Sequence, residues 1–99
     1  MSRAVSASSS VVVAGNQVSS DLGGEVAILG LKGGTYYGLD AVGARIWSLI
    51  QEPRKVEEIQ DILVSEYEVE QDRCEHDLIA LLQELADEAL IEVRDGTST

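Results

Sequence analysis

Cysteine, histidine and proline are almost absent from this sequence, with one of each among 99 residues. The single Cys74 excludes an intramolecular disulfide and a cysteine-rich zinc site, so we expect a reducing, cytoplasmic compartment. His76 lies two positions from Cys74, and in a helix the two side chains would project to different faces, too far apart for a nucleophile–base pair. The sequence therefore predicts a non-catalytic protein with no metal site and no cofactor.

Long apolar runs are also missing. No apolar stretch approaches the roughly 18 residues that a membrane-spanning helix requires. The run Val11–Ala14 is too short for the apolar core of a signal peptide. We therefore expect neither export nor a membrane partner.

Basic residues are scarce, with 7 Lys and Arg against 18 Asp and Glu and a net charge of −11. The first 51 residues carry three basic and three acidic residues, so the whole net charge lies in residues 52–99. A nucleic-acid binder needs Lys and Arg to replace the counterions of the phosphate backbone. The charge therefore argues against a nucleic-acid partner and suits a partner that is neutral or basic.

The N-terminal segment is poor in large apolar residues. Residues 1–10 contain five serines, which predicts a mobile tail, here taken to extend to residue 16. Residues 11–13 are either a short strand or the apolar end of this tail, and the pattern does not decide between them. We expect one domain over residues 17–93, followed by a C-terminal tail at 94–99.

Three short runs with turn signals between them predict an antiparallel meander. The predicted strands are Gln17–Leu22, Glu25–Leu31 and Thr35–Leu39. Glycine pairs at 23–24 and 33–34 supply the positive φ angles that tight hairpin turns require. In the third strand Thr35, Tyr37 and Leu39 share one face, and Tyr36 and Gly38 share the other.

From Asp40 the apolar period changes to about 3.6, which predicts three helices. Asp40 is a suitable N-cap for the first, which Pro53 stops. The second runs from about Lys55 to Tyr67 and the third from about Gln71 to Ala89. We expect an α+β fold, a three-stranded meander followed by three helices.

The third helix has an unusually wide apolar arc. Its apolar side chains cover roughly 160° of the helix, against about 100° for an ordinary core-facing stripe. These residues are Cys74, Leu78, Ile79, Leu81, Leu82, Leu85, Ala86 and Ala89. The helix can therefore pack on its own core and still offer apolar surface along one flank. Asp77 and Ile79 lie on opposite flanks, and the pattern does not say which one is available.

The run Gly34–Trp47 (GTYYGLDAVGARIW) resembles the coenzyme PQQ synthesis protein D family, the peptide-recognition elements of ribosomal-peptide modification systems. The likeness spans about residues 17–93 and continues through Val56–Ile59, Glu66–Val69, Asp77–Leu85 and Ala89–Ile91. Two departures are Ala89-Leu90, where the family usually has Gly-Leu, and Leu81, where an aromatic is common. Among such proteins, the chain looks most like the separate leader-binding proteins of lasso-peptide clusters.

The resemblance implies a winged-helix-like fold and a binding function. The protein would bind the leader region of a precursor peptide and deliver it to a leader protease and then a cyclase. The same role with a radical SAM enzyme, as in pyrroloquinoline quinone synthesis, is the alternative pathway. A winged-helix DNA-binding protein has the same architecture but needs a basic recognition helix, and this third helix has only Arg73.

The leader is expected to add as an antiparallel strand beside the third strand, against the third helix. An edge strand has unpaired N–H and C=O groups that a peptide can satisfy, with pockets for alternate side chains giving selectivity. The candidate leader-binding residues are Thr35, Tyr36, Tyr37, Gly38, Leu39, Asp72, Glu75, Asp77, Leu78, Ile79 and Leu82.

Overall fold

The computed structural model describes residues 5–15, 17–31, 33–34 and 36–94. Within them the element order is β1 (Ser10–Val13), β2 (Gln17–Asp21), β3 (Val26–Gly30), β4 (Tyr36–Leu39), α1 (Ala41–Leu49), β5 (Arg54–Lys55), α2 (Val56–Tyr67), α3 (Gln71–Asp87) and β6 (Ile91–Arg94). The α+β class is confirmed, as is the meander of strands that precedes three helices. No helix in the described part of the chain is long and apolar enough to span a membrane.

The predicted meander forms a three-stranded antiparallel sheet in the order β2-β3-β4. Asp21 pairs with Val26 across the first hairpin, and Leu29 pairs with Tyr36 across the second. Gly23, Gly24 and Gly34 have positive φ angles, which is why these two turns use glycine. Lys32 of the second turn lies outside the described residues.

A second three-stranded sheet, in the order β5-β1-β6, joins the two ends of the chain. Val11 of β1 pairs with Arg54 on one side and Val93 on the other. Its side chain is 0% exposed and belongs to the core. The open question at residues 11–13 is thus resolved as a strand, because Val11 fills a core position that no local pattern reveals.

The folded unit includes β1, which the sequence analysis places in the N-terminal tail. Arg94, taken as the start of the C-terminal tail, ends β6. Both assignments rest on local composition, whereas the pairing of β1 with β6 joins residues about 80 positions apart. Residues 1–4, 16 and 95–99 of the predicted tails lie outside the described residues.

Replacing Val11 with alanine is expected to destabilise the protein by about 2 kcal/mol, because it leaves a cavity in the core. For a domain of this size the melting temperature should fall by roughly 8–16 °C in thermal unfolding followed by circular dichroism. Val12→Ala is the matched control on the same strand, since Val12 is only half-buried. Equal effects of the two substitutions would contradict a core role for Val11.

The helices begin and end close to the predicted positions. Asp40 caps α1, and its Oδ1 accepts a hydrogen bond from the Gly43 N–H at 2.9 Å.

The third helix ends two residues before the predicted Ala89, which has a positive φ of 60° and is exposed. Its buried face consists of Cys74, Leu78, Leu82, Leu85 and Ala86. Ile79 and Leu81 are partly buried on either side of that face, as the wide apolar arc predicts.

Candidate functional site

Strand β4 is an edge strand, because β3 is its partner on one side and the described residues provide none on the other. Its side chains alternate as predicted. Leu39 is buried and Tyr37 half-buried on the inner face, while Tyr36 and Gly38 are exposed on the outer face. Every second residue of such a strand directs its N–H and C=O away from the sheet. Thr35, the remaining candidate in this strand, lies outside the described residues.

Tyr37 connects the edge strand to α3. Its hydroxyl donates a hydrogen bond of 2.8 Å to Glu84 Oε1, across 47 positions of sequence. Burial, followed by the hydrogen bond to Glu84 and the negative charges of Glu84 and Glu88, raises the pKa of Tyr37 to about 12. The phenol therefore stays protonated and keeps donating at any physiological pH. This contact fixes which flank of α3 faces β4.

A cavity of about 440 Å³ opens where β4 ends and α1 begins. Three helices and the link between α2 and α3 contribute its apolar lining, which consists of Val42, Ile46, Leu63, Tyr67, Val69, Cys74, Leu78 and Leu81. Asp40, Arg73 and Asp77 also line it and supply its charged groups. Val42, Tyr67 and Val69 are among the exposed large apolar residues of the described chain. The cavity is thus a largely apolar depression that solvent reaches directly.

Gly43 lets α1 approach β4 closely enough to form one side of this cavity. A Cβ at this position would lie 3.1 Å from Leu39 Cβ and 3.2 Å from Leu39 Cδ2. A side chain at this position would require Leu39 to shift by a few tenths of an ångström. The close approach places the cavity directly beside the last residue of the edge strand.

The structure separates the candidate residues of α3 into two groups. Asp77 and Leu78 line the cavity beside β4. Ile79 is partly buried on the opposite flank, where neighbouring Gln83 accepts a hydrogen bond from the Val5 N–H at 2.9 Å. Leu82 is 0% exposed and is a core residue. The flank of Asp77, rather than that of Ile79, therefore faces the edge strand.

Asp72 and Glu75 lie away from this junction. Asp72 is exposed and Glu75 is half-buried, and neither lines the cavity. On a helix both residues point more than 90° from Asp77, because each residue advances the side chain by about 100°. The structure therefore places Asp77 and Leu78 at the cavity, on the flank of α3 that Tyr37 contacts through Glu84, and it leaves Asp72 and Glu75 outside this group.

Comparison of the chain with known proteins identifies its family and a similar solved structure. Residues 25–91 match the family described as coenzyme PQQ synthesis protein D (PqqD). The chain belongs to the PqqD family. It is also similar to a solved structure, "TbiB1 in Complex with the TbiA(beta) Leader Peptide", with 44% sequence identity and a TM-score of 0.77. The match covers 82% of this chain and 94% of the TbiB1 chain. No curated protein matches the sequence.

Several cavity residues of this PqqD-family protein are absent from the sequence-based candidates. They are Val42, Ile46, Leu63, Tyr67, Val69, Arg73, Cys74 and Leu81. Val42 and Leu81 follow helical core periodicity, so the pattern assigns them to the core. One sequence feature could have indicated the cavity. Tyr67 and Val69 are apolar residues at the end of a helix, where polar residues are usual. Their convergence on one cavity depends on how three helices pack, which periodicity does not encode.

The PqqD-family chain has few groups suited to catalysis in the described region. There, no cluster of three or more His, Cys, Asp or Glu side chains could hold a metal ion. Burial raises the pKa of Cys74, and nearby Asp77 raises it further, so its thiol is poorly ionised. His76 is exposed on the helix surface, with Nδ1 3.5 Å from Asp77 Oδ1. What the site offers is an open strand edge and an apolar cavity, which are features for binding.

Proposed function

We propose that this PqqD-family protein binds the leader region of a ribosomally made precursor peptide and does not itself alter the peptide. The observation that carries the proposal is the open edge of β4, next to an apolar cavity, in a chain 44% identical to a protein solved in complex with a leader peptide. Leader binding by strand addition uses both features at once.

The proposed complex has a defined polarity. The leader lies antiparallel to β4, so its N-terminal part is next to Leu39 and Asp40 and its C-terminal part leaves beside Tyr36. Outward-facing N–H and C=O groups of residues 36–39 bond to the leader backbone. The cavity lies at the Asp40 end. The N-terminal part of the leader therefore supplies the apolar side chain that fills it.

The candidate residues take different roles in this proposal. The backbone of Tyr36, Tyr37, Gly38 and Leu39 pairs with the leader, and Thr35 is proposed to extend this pairing by one residue. Leu78 and Asp77 contact the leader at the cavity, Asp77 through a leader Lys or Arg. Ile79 and Leu82 act through the packing of α3, while Asp72 and Glu75 act only through their charge.

Delivery to a processing enzyme completes the proposed function. As the family resemblance implies, this enzyme is a leader protease, followed by a cyclase, in a lasso-peptide pathway. A radical enzyme of another modified-peptide pathway is the second candidate, since the matched family is described by its part in coenzyme PQQ synthesis. The 44% sequence identity to a protein solved with its leader peptide favours the leader protease and cyclase. The proposal places this work in the cytoplasm, where precursor peptides are translated.

Titration of the protein into a fluorescently labelled leader peptide, taken from the precursor encoded beside its gene, tests the proposal. We expect saturable binding with one peptide per protein, measured by anisotropy. A scrambled peptide of equal composition is the control and should not bind. Mass spectrometry of the incubated precursor should show an unchanged mass. Failure to bind, or a change of mass with the pure protein alone, would contradict the proposal.

Salt is expected to slow leader association. Residues 52–99 carry the whole net charge of −11 and include α3, so a leader rich in Lys or Arg is attracted over about one Debye length, roughly 8 Å at physiological salt. Raising salt from about 0.05 to 0.5 M should reduce the association rate severalfold and change dissociation little, since apolar contacts govern dissociation. Stopped-flow fluorescence measures both rates. A leader with Lys and Arg replaced by Gln should lose the effect, and a salt-independent association rate of the natural leader would show that the acidic surface faces away from it.

A further inference from the structure

The two features proposed to bind the leader belong to different parts of the fold. The open strand edge is β4, which is the last strand of the sheet β2-β3-β4. The apolar walls of the cavity come instead from the three helices and the link between α2 and α3. A leader that uses both features must find them at a matching separation. The distance between this sheet and α3 therefore matters for binding.

One polar contact joins the open edge of the sheet to α3. The Tyr37 hydroxyl donates a hydrogen bond of 2.8 Å to Glu84 Oε1, and we call this contact the bridge. Among the described residues it is the only hydrogen bond or ion pair between the sheet β2-β3-β4 and α3. At the opposite edge of the sheet, the indole N–H of Trp47 in α1 donates to Ser19 Oγ of β2 at 3.3 Å. The sheet is thus attached to the helices at both edges, and the bridge is the attachment beside the leader site.

The bridge lies close to the cavity along both elements. Glu84 follows the cavity residue Leu81 by three positions, which places it on the same flank of α3, about 4.5 Å further along the helix axis. Tyr37 precedes Leu39 on the same face of β4 by about 7 Å of strand. A leader strand that passes the bridge therefore reaches the cavity end of β4 within about three residues.

The chemistry of the bridge favours its persistence. The acceptor is a carboxylate, and hydrogen bonds to charged groups are stronger than those between neutral groups. The donor phenol is half-buried on the inner face of β4, where part of its competition with water is removed. Glu88, one turn beyond Glu84, acts on the phenol only through its charge in the described structure. Glu84 is therefore the residue on α3 that holds Tyr37.

We propose that Tyr37 and Glu84 are positioning residues for leader binding, because their bridge holds α3 at the distance from β4 at which one peptide can pair with the strand and also fill the cavity. This inference rests on the proposed leader binding. A preorganised site binds more tightly, since fewer groups have to be ordered when the ligand arrives. Loss of the bridge should weaken a leader that uses both features and spare a peptide that only pairs with β4.

Fluorescence anisotropy with the full-length protein and its labelled leader tests the inference. Tyr37→Phe and Glu84→Ala each remove the bridge, and each should lower leader affinity about fivefold to tenfold, the scale of one exposed hydrogen bond. The double variant should lose no more than either single variant, because all three lack the same bond. Glu84→Gln keeps an acceptor oxygen and should restore affinity to within about twofold of the unmodified protein.

Two controls separate positioning from other effects. Glu88→Ala removes the same charge as Glu84→Ala without breaking the bridge, and it should change leader affinity by less than about twofold. The second control is a leader with alanine in place of the residue that fills the cavity, identified by an alanine scan of its N-terminal part. Tyr37→Phe should change the affinity for this peptide by less than about twofold, because the peptide engages only the strand.

Circular dichroism checks that the variants are folded, and Glu84→Ala on the exposed surface of α3 provides a second variant should Tyr37→Phe melt early. Equal losses for the natural and the alanine leader in both bridge variants would overturn the inference and assign the bridge a general structural role. Unchanged affinity in both would also overturn it, as would equal losses in Glu84→Gln and Glu84→Ala or in Glu88→Ala and Glu84→Ala. Absence of leader binding by the unmodified protein would refute the proposed function itself.

Discussion

Single N-methyl groups placed at consecutive positions of the leader peptide are expected to abolish binding at every second position and spare the positions between. In an antiparallel ladder each residue either exchanges both backbone hydrogen bonds with its partner or directs both groups away. A methyl group on a paired nitrogen removes one donor and leaves a carbonyl oxygen of β4 without its partner. The alternation therefore reports strand addition itself, whatever the side chains of the leader contribute.

The expected loss at a paired position is large. The net contribution of a hydrogen bond and the cost of an unsatisfied acceptor together amount to about 2–4 kcal/mol, which is about 30-fold to 1,000-fold in affinity. Methylation at the intervening positions should cost less than about threefold. Fluorescence anisotropy with a labelled set of peptides measures all positions, and each neighbouring position is the matched control. A uniform loss along the peptide, or no loss above threefold, would contradict pairing with β4.

Val42→Asp is expected to reduce leader affinity by about 30-fold to 150-fold without unfolding the protein. Val42 lines the cavity and is 42% exposed, so a carboxylate there meets the apolar side chain that the leader is proposed to insert. Lost apolar contact and a partly desolvated charge together cost about 2–3 kcal/mol. The helix tolerates the change, because Val42 is the second residue of α1 and a carboxylate in the first turn interacts favourably with the helix dipole.

Ala41→Asp is the matched control for this variant. It adds the same charge one residue earlier in the same turn, where the side chain is exposed and does not line the cavity. Anisotropy should show leader affinity within about threefold of the unmodified protein, and circular dichroism should show both variants folded. Equal losses in the two variants would mean that net charge, rather than occupancy of the cavity, controls binding.

Local patterns in the sequence determined much of the architecture. Alternation and glycine pairs predicted β2, β3 and β4 within a residue or two, because a hairpin is specified by its own turn and its own two strands. Asp40 and the change of apolar period predicted α1, since an N-cap acts on the next turn of helix. The division of Tyr36 and Tyr37 between two faces also followed from strand geometry alone. The resemblance of residues 34–47 to a known family added the expected function.

Only the tertiary structure decided the pairing of β1, the orientation of α3 and the position of the cavity. Each of these features depends on contacts between residues that are distant in sequence. Val11 lies in β1 because β6, about 80 residues away, completes its sheet. The contact of Tyr37 with Glu84 fixes which flank of α3 faces β4. A helical wheel shows both flanks but does not indicate which of them faces the sheet. The cavity requires Val42, Tyr67 and Leu81 from three helices to converge. Periodicity states which face of a helix is apolar, but only the packing of one helix on another determines where part of that face stays open to a ligand.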